Sequence, residues 1–195
     1  MSMGPDGDLH ASTDAMTPAT RFAIPQRLET DRLLLRMFRD EDWRGLHEHF
    51  SDAECTRFTF RRALTEAATW RAMASMAGHW LLRGYGPYAI EEKSTGTVLG
   101  TTGLWYPIEW PEPEIKWALA RRHWGKGYAS EAVRAVQRMA RDSVPDMSPI
   151  SLIDSRNAAS IRLALAVGAR LEREIEFAGG PFHIYRHPRK GEATT

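Results

Sequence analysis

Arg121-Arg122-His123-Trp124-Gly125-Lys126-Gly127-Tyr128-Ala129-Ser130 gathers cations and two closely spaced glycines just ahead of a patterned helix. Glycines one residue apart let the backbone turn tightly, so that several N–H groups point into one concavity. The helix beyond contributes its positive dipole end and unpaired N–H groups. Arg121, Arg122 and Lys126 add formal charge. Together these make an anion cradle suited to a pyrophosphate.

The flanking elements follow from spacing. Ala129, Ala132, Val133, Val136, Met139 and Ala140 repeat at helical intervals, with Glu131, Arg134, Gln137, Arg138 and Arg141 on the other face. Ahead of the loop, Glu114-Ile115-Lys116-Trp117-Ala118-Leu119 alternates as a half-buried strand does. The loop does not fit a Walker A motif, because Lys126 precedes Gly127 and no Ser or Thr follows it. It fits a dinucleotide fingerprint only in part: Ser130 takes the third glycine position, and the loop lies past the middle of the chain. A third pattern, R-x-x-G-x-G/A, is filled by Arg122, Gly125 and Gly127. A plain glycine turn before a surface helix is the fourth reading.

At 195 residues the chain has the length of one domain with an ample core. Its 43% hydrophobic and 26% charged residues are ordinary for a globular protein. A net charge of +1 gives no support for nucleic-acid binding, and no apolar run approaches the ~20 residues of a membrane span. Residues 1–25 read as a flexible leader without a signal peptide's apolar core, residues 26–188 as a single domain and 189–195 as a tail. Cys55 is the only cysteine, which suits a reducing cytoplasm.

Leu33 to Arg36 reads as a first strand. Asp40 is expected to cap a helix to about Phe50, and Thr65 a second one through Trp80. Tyr88 to Glu92 and Val98 to Trp105 form a hairpin. Strands follow at Glu114 and Ile150 to Ile153, then a helix from Asn157 stopped by Gly168. Two last strands run near Leu171 to Phe177 and His183 to His187. The order βααβββαβαββ describes a mixed α/β domain.

That order, with several segments, resembles the GNAT superfamily of N-acetyltransferases, in its RimJ/RimL-type branch. Leu28 to Arg36 is similar to the branch's opening "TERLxLR" strand. Glu114 to Leu119 is similar to "EIGYWL", with Lys116 in place of the usual glycine. The loop and helix resemble "xWGKGYAxEA", and Asn157 to Arg162 resembles "NxxSxRV". The resemblance spans roughly residues 26 to 188. It implies a central, mostly antiparallel sheet with a V-shaped splay between its fourth and fifth strands, flanked by helices. It also implies acetyl-CoA as co-substrate, its pantetheine arm lying in the splay like a missing strand. Ala118 and Leu119 would offer backbone groups to that arm. The backbone of Trp124, Gly125, Lys126, Gly127, Tyr128 and Ala129 would hold the pyrophosphate, helped by Arg122 or Lys126. Asn157 has both donor and acceptor for the amide-rich arm, and it also suits a helix cap.

By the same resemblance Glu114 is the base, often acting through water, and Ser160 the acid; a surface salt bridge from Glu114 to Lys116 is the plain alternative. Many members carry a tyrosine acid at the position held here by Ala164, which excludes that mechanism. Trp105 and Trp110, in an aromatic and acidic loop, and His183 are expected to line the acceptor side. The acceptor would be a small-molecule amine or a protein N-terminus, with no nucleic acid or membrane partner; a homodimer stays open. Another acyl-CoA, or a CoA-binding sensor without turnover, are the alternative functions. His47 and His49 stand two apart on a helix, and His183 and His187 lie in a strand without the H-E-x-x-H glutamate, so no metal is expected.

Overall fold

The computed structural model describes residues 22–189. Most of the expected leader and most of the tail therefore lie outside the described residues. Eight strands form one sheet: β1 (Arg27–Glu29), β2 (Leu33–Arg36), β3 (Pro87–Glu92), β4 (Val98–Trp105), β5 (Glu114–Leu119), β6 (Ile150–Asp154), β7 (Arg170–Phe177) and β8 (Gly180–Arg186). Five helices accompany them: α1 (Trp43–Phe50), α2 (Ala53–Thr56), α3 (Glu66–Arg83), α4 (Tyr128–Ser143) and α5 (Ala158–Ala166). The sheet order is β1-β2-β3-β4-β5-β6-β8-β7. Every neighbouring pair is antiparallel except β5 and β6. Those two run parallel because α4 carries the chain between them, as a parallel pair requires. Among the described residues no helix is long and apolar enough to cross a membrane.

Each helix buries the face its pattern predicts. α4 sets Ala132, Val133, Val136 and Met139 against Leu33, Leu35, Ile90, Leu104 and Ile115 on one side of the sheet. On the other side Leu46 and Phe50 of α1 meet Met73 and Met76 of α3 over Val98 and Trp105. α5 covers Ile153 and Tyr185, with Ala164 wholly buried between them.

The structure refines several boundaries. β1 and α2, both short, carry too few residues to show a period. Asp40 is not a helix cap: it opens a 3-10 turn, Asp40–Asp42, and its carboxylate accepts from the Trp70 indole at 3.1 Å. Asp42 does the capping, taking the Arg39 N–H at 2.7 Å and a bidentate contact from Arg36. Thr65 caps α3 as expected, accepting the Ala68 N–H at 3.2 Å. The last strand begins at Gly180 and ends before His187.

The feature that matters for function is the junction of β5 and β6. Their register holds one pair, Glu114↔Ile150, beyond which no further pairing occurs. A buried network pins the closed end. The Ser151 hydroxyl donates to the Ile115 carbonyl at 2.7 Å and accepts from His187 Nε2 at 2.8 Å. His187 Nδ1 in turn accepts from the Gln137 amide, which also reaches the Val167 carbonyl. Burial pushes His187 down to about 3, so the ring is neutral, as this donor and acceptor pattern needs.

On the far side of β5 the packing is tight. A Cβ at Gly100 would stand 2.0 Å from the Ala118 carbonyl oxygen. Gly100→Ala is therefore expected to force β4 and β5 apart and cost about 1–3 kcal/mol, read as a lowered urea midpoint with an unchanged slope. A midpoint equal to wild type would show that the strands yield freely there.

Candidate active site

The glycine loop follows a 3-10 turn, Arg121–His123. Gly125 and Gly127 both hold left-handed backbone, φ +73° and +79°, which glycine adopts without the Cβ penalty. Gly127 caps α4, and the first N–H to bond back is Glu131, to the Gly127 carbonyl at 3.1 Å. The N–H groups of Gly125, Lys126, Gly127, Tyr128, Ala129 and Ser130 find no acceptor in the described residues. Six unpaired donors at a helix start form a cradle that fits a pyrophosphate. The Trp124 N–H does not join them, since it bonds to the Arg121 carbonyl at 3.0 Å.

The loop's cations are placed unequally. Arg122 turns back to Glu48 of α1 at 2.8 Å, and Arg121 to Asp52, the N-cap of α2, at 2.6 Å. Among the described residues Lys126 has no ion-pair partner, so its ammonium is the charge left to the cradle. Arg32, read in the sequence as part of a strand opening, proves to brace the loop. It donates to the Lys126 carbonyl at 2.9 Å, pairs with Glu131 at 2.7 Å and lies 4.5 Å over the Tyr128 ring. The Tyr128 hydroxyl bonds to Glu92.

The edge of β5 that faces the gap differs from expectation at one residue. The Ala118 carbonyl lies against Gly100, on the β4 side. The Ile115 carbonyl points the other way, to Ser151. Backbone groups alternate along a strand, so Trp117 and Leu119 face the gap and Ala118 does not. The Leu119 carbonyl is already taken by two donors, the Trp124 indole at 2.8 Å and His49 Nδ1 at 3.0 Å. Trp117 is then the residue whose N–H and C=O stand open to the gap, one position from the expected Ala118.

Glu114 sits where the gap closes. Its side chain is buried, and its two oxygens accept from the Trp110 indole at 2.9 Å and the Leu152 N–H at 3.2 Å. Burial pushes its carboxyl up to about 7, against the pull of Lys116 and of these two donors. Lys116 lies on the same strand face. No surface salt bridge joins them: the ammonium is half-buried, 3.5 Å from Met76 Sδ and 5.3 Å from the centre of the Trp105 ring. Burial holds it below the usual lysine range.

Ser160 approaches from α5. Its hydroxyl accepts from the Trp117 indole at 3.3 Å, which leaves its hydrogen free to donate. Trp117 and Glu114 have opposite parity on β5, so Ser160 and Glu114 reach the gap from opposite faces of the sheet. Asn157 caps α5 by accepting the Ser160 N–H at 3.2 Å, and its amide nitrogen remains to donate.

Of the expected acceptor residues, Trp110 and Trp105 neighbour Glu114, the latter as its partner across β4 and β5, and His183 does not. Trp110 is next to Glu114 and packs edge-on to Phe177, which packs on Phe182. Trp105 stacks on His79 with centroids 4.8 Å apart, in the packing between α3 and the sheet. His183 pairs across the strands with Ile153 and reaches Glu174 at 3.3 Å. Ile153 packs beneath α5, so His183 lies on the face opposite Glu114 and is not brought into the same site as Trp110. His49 enters the sequence reading only as a rejected metal ligand. It is buried and held neutral by burial, with Nε2 lacking a partner. Only its apolar neighbours would have hinted at that burial. Among the described residues no three or more His, Cys, Asp or Glu side chains gather as a metal set.

The model of the acetyltransferase (GNAT) domain matches residues 32–170. An uncharacterized N-acetyltransferase, p20, of Bacillus licheniformis is 32% identical over 160 residues, covering 80% of this chain and 90% of its own. The uncharacterized protein YkkB of Bacillus subtilis (strain 168) is 31% identical over 169 residues, covering 82% and 94%. The crystal structure of an acetyltransferase from Agrobacterium tumefaciens str. C58 superposes with a TM-score of 0.75 at 25% identity, covering 86% of this chain and 96% of that one. A parted parallel strand pair, a glycine cradle at a helix start and a family match across most of the described residues lead to one conclusion: the chain belongs to the GNAT acetyltransferase family.

Proposed function

We propose that the protein is an acetyl-CoA-dependent N-acetyltransferase of the RimJ/RimL-type branch, passing the acetyl group to a primary amine by direct attack in a ternary complex. The observation that carries the reading is the buried Glu114 carboxyl at the closed end of the gap, pushed up to about 7. A carboxylate poised there takes a proton from an ammonium near neutral pH far better than an ordinary surface glutamate does.

In this reading the cradle from Gly125 to Ser130 binds the pyrophosphate, with Lys126 beside it. Trp117 offers its N–H and C=O to the pantetheine arm, and Asn157 its amide. Glu114 accepts the proton of the acceptor amine, directly or through a water, so that the nitrogen lone pair is free to attack the thioester carbon. The C–S bond then breaks, and Ser160 stands on the opposite face to deliver a proton to the departing sulfur. The motif wording at Leu28–Arg36 and Asn157–Arg162 supports the branch.

The base assignment is tested by Glu114→Gln, which keeps shape and removes proton acceptance. kcat should fall by about 10²–10⁴-fold, with unchanged acetyl-CoA affinity and a deficit that shrinks at high pH. Normal turnover across pH 6 to 9 would place the base elsewhere. Asp154 is a poor substitute, because Arg156 holds its carboxyl below the usual range.

Stability gives a second readout of Glu114. Its folded-state pKa is raised from 4.5, so its contribution is full below that value and is lost as pH rises through about 7. Glu114→Gln should therefore raise Tm relative to wild type at pH 8 and not at pH 4. Lys116 is the charge that restrains this shift. Lys116→Met should move the acid limb of kcat/KM to higher pH, as read from a pH–rate profile; an unmoved limb would mean that Lys116 does not act on the base.

The cradle is tested by titration calorimetry. Gly127→Glu sets a carboxylate where the pyrophosphate would lie, and a Cβ there also meets Arg32 at 3.3 Å. CoA binding should be lost. Gly127→Ala carries the backbone strain without the charge and should retain measurable affinity. Full CoA affinity in Gly127→Glu would remove the cradle from the site.

A further inference from the structure

A groove of about 460 Å³ is lined by Arg57, Phe58, Arg61 and Arg156. Two segments distant in sequence build it: the stretch at and just after α2, and the turn after β6. Three guanidinium groups on one small concavity repel one another unless an anion joins them. The chain hydrogen-bonds anions to two, and the Asp154 carboxylate attracts Arg61 through space. Arg156 forms a bidentate pair with Asp154 at 2.7 and 2.9 Å, and Arg57 makes a long exposed contact with Glu54 at 3.4 Å. The hydrogen-bond partner of Arg61 is a carbonyl, that of Ala178, at 3.0 Å. Arg61 also holds left-handed backbone, φ +57°, where a side chain with a Cβ is strained. Strain of this kind persists only where surrounding structure over-determines the residue, here through the Ala178 carbonyl.

The groove lies further along β6 from the carboxylate described above, past its C-terminal end. Asp154 lies two residues beyond Leu152, whose N–H bonds Glu114, and two strand residues span roughly 7 Å. Ala178 follows Phe177, which packs on Trp110, the indole donor to Glu114. Base, aromatic wall and arginines therefore share one side of the gap. In the acidic loop, Glu112 is already held by Arg173 and Arg186 at 2.7 Å each.

We infer that the acceptor is an amine that itself carries an anionic group, a carboxylate or a phosphate, and that Arg57 and Arg61, with Arg156 beside them, bind that group while Glu114 takes the amine proton. The inference rests on the acetyltransferase reading for its amine and on the groove for its anion. The shared chemistry is an oxyanion in a guanidinium fork, which arginine grips in bidentate fashion.

The test uses paired probes that differ only in the anion: an aromatic α-amino acid against its carboxamide, and 2-aminoethyl phosphate against 2-aminoethanol. Thiol release from acetyl-CoA gives kcat and KM for each, and titration calorimetry gives Kd independently of turnover. The anionic member of at least one pair should bind about ten- to a hundred-fold more tightly, and the pair that does so distinguishes carboxylate from phosphate. Arg61→Gln and Arg57→Gln should erase that preference through KM, leaving kcat and the neutral members unchanged, while Arg61→Lys should keep part of it. Raised salt should narrow it.

Neutral members that bind as well as anionic ones would overturn the inference, as would a preference that survives both variants in folded protein. An equal loss of CoA affinity in Arg61→Gln would also overturn it, by assigning the groove to the cofactor. If no amine turns over, the acetyltransferase reading fails, and the titration still decides whether the groove binds anions.

Discussion

β5 and β6 touch at Glu114↔Ile150 and then part. A sheet left open in its middle is costly, because unpaired N–H and C=O groups lose the partners that every interior strand otherwise has. The structure holds this opening from its closed end. The chain of hydrogen bonds from Gln137 through His187 and Ser151 to the Ile115 carbonyl ties α4, β8, β6 and β5 together just below the parting. Each donor in it has an acceptor, and each acceptor a donor, so the network is rigid. α4 on one side and α1 with α3 on the other then keep the strands from sliding shut. Glu114 owes its burial, and so its raised pKa, to standing at this point.

The sequence made the supporting elements plain and left the site's details hidden, for a physical reason. α4 alternates cleanly because one face meets the sheet and the other meets water, and the glycines ahead of it mark positive φ. Such features are local. Asp40 looked like a cap because a short acidic side chain before a helical run usually is one. The deciding fact was Arg36, buried nearby, which recruits Asp42 instead. Ala118 looked like the backbone contact, but which way a carbonyl points depends on strand register with β4, and no side chain records that. His183 is misplaced for the same reason: parity assigns it a face only once its strand partner is known.

Arg61 and His49 show a second limit. An arginine in a polar stretch and a histidine on an amphipathic helix are both ordinary in sequence. Their distinction lies in backbone conformation for one and an unpartnered ring nitrogen for the other. Both arise from contacts across more than a hundred residues or between separate layers, Arg61 with Ala178 and His49 with Leu119. By contrast the Arg32 brace could be anticipated in part, since the opening strand and the glycine loop belong to one family pattern.

The doubly capped Leu119 carbonyl acts as a stop on a ruler. A ligand laid along β5 in strand fashion reads off backbone groups at two-residue intervals, about 6.6 Å apart. With the Leu119 oxygen claimed by Trp124 and His49, the first open mark is Trp117. The ligand's depth in the gap is thereby set in whole steps, not continuously. Whatever bond the ligand carries at a fixed distance from its amides comes to rest at a fixed height relative to Glu114. The indole of Trp124 and the imidazole of His49 thus decide which backbone group of β5 is the first left open to such a ligand.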